Sequence, residues 1–399
     1  MNLIEDIVAN APELSDIRRD IHAHPELSFK ETRTADLVAD LLTQWGIPVH
    51  RGLGKTGVVG ILKNGDSPRT VGLRADMDAL PMTEANEFAH ASRHPGVMHA
   101  CGHDGHTTML LGAAQELARS KRFDGTIYLI FQPAEEHGGG AREMMKDGLF
   151  ERFPMEAVFG MHNMPGIPAG HFAASPGPVL ASSNEFLVRV RGKGGHGAMP
   201  HLAVDPLPVA AQILQAFQTI VSRNKKPSDT AVISVTMIHG GDAPNVIPDS
   251  CELRGTVRTY TSETLDLVEK RMGEIAHGTA ATFGAECDFE FTRIYPSTVN
   301  HAAETAFARE VMADLVGPDR LIAQTPIMAA EDFAFMLQQV PGSYSFIGNG
   351  DGDHRAAGHG HGPCLVHNTS YDFNDALLPV GASYLVRLAE RWLGTPRGA

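Results

Sequence analysis

GTIYLIFQPAEEHGGGA, residues 125–141, is the stretch whose reading decides the fold. Its first eight residues are an almost unbroken apolar run rich in β-branched and aromatic side chains, which predicts a strand buried on both faces. Two adjacent acids, Glu135 and Glu136, then run into three glycines. Neighbouring glutamates are ordinarily a solvated pair on a helix, but a strand end followed by Gly138, Gly139 and Gly140 is a shaped turn. The same grammar recurs on either side. TVGLRAD (70–76) and AVFGMHN (157–163) predict buried strands, and TTMLLGAAQELARS (107–120) predicts a helix after the Gly-rich turn CGHDGH. Strands alternating with helices indicate an α/β layer, and each acidic or His-rich cluster stands just beyond a strand. In open α/β sheets that is where sites are built.

From Ser182 to Pro296 the pattern changes. NEFLVRVRG alternates as a half-buried strand does, with Phe186, Val188 and Val190 on one face. The helix PVAAQILQAFQTIVSR follows, then the strands AVISVTMIHG and CELRGTVRTY, the helix SETLDLVEKRMGEIAHGTAATF and the strand CDFEFTRIY. That is the split βαβ order of a small ferredoxin-like domain. The α/β pattern then resumes with PIMAAEDFAFMLQQ and a final helix near LPVGASYLVRLAERWL. The expected organisation is a discontinuous domain of residues 1–181 and 297–399, interrupted by an insert at 182–296. A chain of 399 residues exceeds the size at which one core usually splits, which agrees with two domains.

Composition excludes some function classes. The formal net charge is −14 and no run of Lys and Arg is longer than a pair, which speaks against a nucleic-acid or anionic-membrane partner. The first twenty residues lack a basic segment followed by an apolar one, and runs such as Ile127–Phe131 are too short to span a bilayer. Cys101, Cys251, Cys287 and Cys364 form no C-x-x-C pair. The expectation is a cytoplasmic protein with reduced thiols.

Four clusters carry chemistry. In HACGHDGHT, Cys101 and His103 are two apart in an extended turn, a spacing that can point both side chains the same way. Thiolate and imidazole suit zinc and other borderline transition metals. A nucleophilic cysteine with a histidine base and a plain buried cysteine are the competing readings. In FQPAEEHGGGA, the two glutamates could divide two tasks of a metal hydrolase, one holding an ion and the other handling protons. His162 in GMHN and His367 in LVHNTSYDFND each suit a satisfied core histidine when taken alone. Together with the thiol and the acids, after successive strands, they point to metal.

Eight segments occur in order over nearly the whole chain: RDIHAHPELSFKE, GLRADMDALPMTE, MHACGHDGHTTMLLGAA, FQPAEE-GGGA, GKGGHGAMPH, NVIPD, AEDFAF and YDFND. The series resembles the amidohydrolase branch of the aminoacylase and carboxypeptidase G-like metallopeptidase family, which includes hippurate hydrolases, auxin-conjugate hydrolases and N-acetyldiaminopimelate deacetylases. The resemblance implies an α/β catalytic domain around a central mixed sheet, with the ferredoxin-like βαββαβ insert as lid and dimerisation domain. It implies that Cys101, His103, Glu136, His162 and His367 hold two divalent ions per subunit, of Zn, Mn, Co or Ni, and that Glu135 is the general base. Asp78 resembles the acid that steadies the site from behind, as ligand histidines commonly require. The broader family often has a His two residues before this acid. Here Asp76 stands in that position and is left as a structural or supporting residue.

In the insert, His196 resembles a histidine that reaches into the partner subunit's site and stabilises the reacting carbonyl. Asn245 and Arg258 resemble groups that grip the substrate's carboxylate, for which a planar guanidinium is well shaped. Pattern alone reads Arg258 as a solvent-facing strand residue. His22 and His24 are expected to support the site without catalysis, and His354, His359 and His361 to be solvated in their Gly-rich loop. The implied function is metal-dependent hydrolysis of the amide bond of small N-acyl amino acids by a homodimer or higher homo-oligomer. A metallo-dipeptidase or carboxypeptidase is the alternative with the same machinery.

Overall fold

The computed structural model describes residues 1–394 and divides them into two compact units. The first comprises Met1–Gly177, Val299–Thr325 and the segment from Asp332 onward. The second comprises Pro178–Thr298 and Pro326–Glu331.

The first unit is built on an eight-stranded mixed sheet. Its strands include β1 (Val49–Leu53), β2 (Gly57–Asn64) and β3 (Thr70–Asp76). The helix α1 (His103–Ser120) leads to β4 (Gly125–Gln132), and β5 (Val158–Pro165) follows. β3 pairs in parallel with both β4 and β5, whereas β2 runs antiparallel to β4 and β1 antiparallel to β2. Parallel neighbours need a crossover, and α1 supplies it between β3 and β4. In β4 only Thr126 is less than buried, as its apolar run requires of a central strand. The carboxyl ends of β3, β4 and β5 therefore lie side by side, at Asp76, Gln132 and Pro165.

The second unit contains β6 (Ser183–Arg191), α2 (Pro206–Thr219), β7 (Ala231–His239), β8 (Ser250–Thr259), α3 (Ser262–Thr282) and β9 (Glu286–Tyr295). The four strands form an antiparallel sheet in the order β7-β8-β6-β9. Phe186, Val188 and Val190 of β6 are buried, together with Val209, Ile213 and Phe217 of α2 and Val268 and Met272 of α3. Local signals set the helix starts. Asp205 caps α2 by accepting from the Leu207 N–H, with Pro206 at the first helical position, and Thr261 caps α3 by accepting from the Thr264 N–H. The first unit is completed by β10 (Gly342–Gly350), parallel to β5, and by α4 (Leu378–Gly394).

All four cysteines are free thiols. Among the described residues no helix is long and apolar enough to cross a membrane.

Candidate metal centre

Asp78, two residues beyond β3, is the fixed point of the site. Its buried carboxylate accepts four hydrogen bonds. Oδ1 takes the Glu135 N–H at 3.1 Å and the His103 ring Nδ1 at 3.2 Å. Oδ2 takes the Glu136 N–H at 3.1 Å and the Ser28 hydroxyl at 2.8 Å. One carboxylate thus anchors the acidic turn after β4 and the first residue of α1. Burial opposes its charge, but the hydrogen bond and charge of His103 and the bond from Ser28 hold it below the usual carboxylate range.

The acidic turn is gripped from its other side by Glu31, whose Oε1 accepts the Ala134 N–H at 2.8 Å. Burial pushes this Glu31 carboxyl up to about 7. Glycine is required at 140, where a Cβ would stand 1.6 Å from the Pro133 carbonyl oxygen. The turn leaves Glu135 buried, with Oε1 accepting from the Asp332 N–H at 3.4 Å.

The two acids, the thiol and three histidines converge here. Cys101 Sγ lies 3.3 Å from His162 Nε2, and Glu136 Oε1 lies 3.3 Å from His367 Nε2 and 3.9 Å from His103 Nε2. One ligand atom each from Cys101, His103 and His162 falls within 4.8 Å of the others, and so does one each from Cys101, Glu136 and His367. Cys101 belongs to both sets. His103, Glu135 and Glu136 form a further set.

This donor set fits divalent transition ions, on three observations. His103 gives Nδ1 to Asp78, and its Nε2 is buried without a hydrogen bond. His162 gives Nδ1 to the Asn163 carbonyl at 2.5 Å, which turns its Nε2 toward Cys101. Burial, and then the carboxylates of Glu136, Glu135 and Asp76, push the Cys101 thiol well above its ordinary range. A bound cation reverses that balance by stabilising the thiolate. Burial also disfavours a charged His103, but Asp76, Asp78 and Glu136 outweigh it and raise the ring to about 10. His162 moves the other way, kept neutral by burial and by the neighbouring His106. The Glu136 carboxylate beside it raises His367.

Asp76, at the end of β3, faces inward. Its Oδ1 is 2.6 Å from His106 Nδ1 and its Oδ2 accepts from Arg74 at 2.7 Å. Arg74 is itself fully buried, donating to Gln132 at 2.8 Å and to Asp332 at 3.3 Å. Asp76, His103 and His106 also come within ligand distance of one another. The sequence pattern does not single out His106, although it stands three residues after His103 on the same helix and so shares its face. Nor does it single out Glu31, the last residue of RDIHAHPELSFKE. His22 is buried, with Nδ1 2.8 Å from Asp104 and Nε2 3.1 Å from Glu84. Burial opposes its charge, and the two carboxylates raise it to about 10. His24 bonds to the Asp20 carbonyl at 2.8 Å.

Two loop histidines depart from expectation. His359 is largely buried and sits 3.1 Å from Asp372 Oδ2, while His354 Nε2 is 3.2 Å from the Asp372 carbonyl. They are tied to Asp372 rather than solvated, because a buried carboxylate also paired to Arg18 at 3.0 Å draws the loop inward. His361 is exposed.

His196, Asn245 and Arg258 belong to the second unit. Gly195–His196 pairs with Val246–Ile247 in a two-stranded ribbon, and Asn245 accepts the Gly197 N–H at 2.8 Å, so His196 and Asn245 are neighbours. His196 is exposed, and its Nδ1 accepts the Ala198 N–H at 3.1 Å, which leaves the ring proton on Nε2. Arg258, on β8, is half-buried and bonded to Thr256 and to the Val257 carbonyl, with no ion pair among the described residues.

Peptidase family M20/M25/M40 matches residues 72–391. A hippurate hydrolase of Campylobacter jejuni is 43% identical over 394 residues, covering 98% of this chain and 100% of the relative. An IAA-amino acid hydrolase of Arabidopsis thaliana is 38% identical over 382 residues, covering 94% of this chain and 86% of the relative. A solved Bacillus subtilis structure, described as a dinuclear metal binding peptidase from the M20 family, is 32% identical with a TM-score of 0.84, covering 97% of this chain and 99% of that one. Similarity of this depth and extent, on a sheet whose strand ends gather a thiol, three imidazoles and two acids, means that the chain belongs to peptidase family M20/M25/M40.

Proposed function

We propose that this chain hydrolyses the amide bond of N-acyl amino acids in a metal-dependent reaction, giving a carboxylic acid and a free amino acid. The observation that carries the reading is the pair of ligand sets sharing Cys101, with the buried Glu135 beside them. The hippurate hydrolase relative, which covers 98% of this chain, supports the substrate class. Cys101, His103, Glu136, His162 and His367 would hold two divalent ions, of Zn, Mn, Co or Ni. Such ions supply Lewis acidity and bring the pKa of water toward neutrality.

The chain's own residues do the rest. Glu135 takes the proton of the attacking water and returns it to the leaving nitrogen. Its position is held by two backbone bonds, its own N–H to Asp78 and the Asp332 N–H to its Oε1. Asp78 orients His103 while fixing the turn that carries both acids. His196, with its proton on Nε2, is suited to donate to the developing oxyanion.

Asn245 and Arg258 grip the substrate's α-carboxylate. Arg258 is partly desolvated and makes no ion pair among the described residues, which favours an anionic partner from outside. A hydrogen bond to a charged partner contributes about 1.5–3 kcal/mol, so replacing the carboxylate by an amide should cost roughly tenfold or more in kcat/KM. Hippurate compared with hippuramide measures this directly. Arg258→Ala should remove most of the difference, harming the carboxylate substrate far more than the amide. Equal efficiency of the two substrates in the wild type would end the carboxylate clamp.

We infer a homodimer formed through the second unit, with His196 serving the partner's site. β7 is an edge strand whose Met237 and Ile238 are 51% and 53% exposed, and such an edge favours pairing with another chain. Mixing a His196→Ala chain with a Glu135→Ala chain should then restore about a quarter of wild-type activity, because half the dimers are mixed and each holds one intact site. Proven heterodimers without recovery, or a fully active monomer, would exclude it.

A further inference from the structure

Asn163 follows His162 in β5 and is fully buried. Its amide joins segments that the chain brings from far apart. Nδ2 donates to the Cys101 carbonyl at 2.6 Å, and Oδ1 accepts from the Tyr371 hydroxyl at 2.8 Å. Its backbone N–H donates to His106 Nε2 at 2.9 Å. Accepting there, His106 must carry its proton on Nδ1, which it gives to Asp76 at 2.6 Å. The carbonyl of the same Asn163 fixes the ring of His162.

The space is shaped for this amide. Gly102, with φ of 98°, separates Cys101 from His103, and a Cβ there would stand 2.1 Å from Asn163 Nδ2 and 2.6 Å from the Tyr371 hydroxyl oxygen. The neighbouring Ala100 carbonyl accepts the His367 N–H at 2.7 Å, so two successive carbonyls of this turn are used to hold two other segments. Asn suits the junction because one planar group offers both a donor and an acceptor. Leucine would satisfy neither the carbonyl nor the hydroxyl, and a carboxylate would face the Cys101 carbonyl with a second acceptor.

We propose that Asn163 is a positioning residue, which locks the Cys101 turn, His162 and the segment from His367 to Tyr371 together so that the metal meets preformed ligands. It rests on the reading of Cys101 and His162 as metal ligands. It acts through backbone and amide contacts and touches neither metal nor substrate.

The test uses the full chain stripped of metal and reloaded with cobalt(II), as wild type, Asn163→Ala and Tyr371→Phe. Affinity is read by competition with a chelating dye, and geometry by the thiolate-to-cobalt charge-transfer band, while thermal melts of the metal-free proteins report folding. Asn163→Ala should bind cobalt roughly 10–100-fold more weakly, the range expected for loss of a residue supporting a ligand, with a shifted or weakened band. Tyr371→Phe removes one hydroxyl, should move both readouts the same way by less, and serves alone if Asn163→Ala does not fold. Folded variants that bind cobalt within about twofold of wild type with an unchanged band would overturn the proposal. A wild type that binds cobalt without a thiolate band would instead overturn the ligand role of Cys101, and the lock with it.

Discussion

Glu135→Gln is expected to keep its metals and lose roughly 10²–10⁴-fold in kcat, the usual worth of a positioned acid–base group. The substitution is nearly isosteric, and the main-chain bond from Glu135 to Asp78 is indifferent to it. The Asp332 N–H can still be accepted by the new amide oxygen. What disappears is the ability to take a proton from water and return it to nitrogen. Glu136→Gln should have the opposite phenotype. Its Oε1 faces His103 and His367, and a neutral amide there weakens attraction to a cation, so metal content should fall first and activity with it. Steady-state rates beside elemental analysis of the two variants separate these roles. If Glu136→Gln keeps its metal and loses turnover while Glu135→Gln loses metal, the two assignments must be exchanged.

Much of the frame is legible in the sequence because it rests on local rules. The strands read at 70–76 and 125–132 have those bounds in the fold, since short, largely apolar runs ended by polar or turn residues leave little choice. The helix read from Thr107 begins instead at His103, because Gly102 takes a left-handed φ of 98° and the first turn forms directly behind it. Periodicity could not show this, as the first turn carries His103 and Asp104, both buried, where apolar residues would be expected. The segment PIMAAEDFAFMLQQ forms a helix only over Phe333–Gln339, and its residues Pro326–Glu331 belong to the second unit. No local pattern announces a return of six residues to another unit.

The candidate site divides in the same way. Thiol, imidazole and carboxylate types after successive strands are visible in the chain, and parallel pairing of β3, β4 and β5 brings those strand ends together. What joins them is non-local and leaves no spacing to read. Asp78 reaches Glu135 across 57 residues, Tyr371 reaches Asn163 across 208, and Asp372 reaches Arg18 across 354. For the same reason the loop histidines at 354 and 359 look solvated in sequence and prove tied to a carboxylate in the fold.

Removal of metal is expected to have the largest effect of all. Cys101 is the member that could sustain a metal-free hydrolysis, as a nucleophile, and nucleophilic attack requires the thiolate. Burial and the carboxylates of Glu136, Glu135 and Asp76 disfavour that form, so a metal-stripped site has neither an activated water nor a reactive sulfur. Glu135 alone cannot substitute, because a carboxylate that accepts a proton still needs water made acidic enough to give one up.

Turnover of hippurate by the purified protein, with a dipeptide as the competing substrate, measured before and after exhaustive chelation with metal loss confirmed by elemental analysis, tests the central claim most directly. The expected result is release of benzoate and glycine that falls to background in the stripped protein and returns on adding Zn, Mn, Co or Ni. Undiminished hydrolysis by protein proven free of metal, or turnover of the dipeptide with none of hippurate at full metal occupancy, would contradict it.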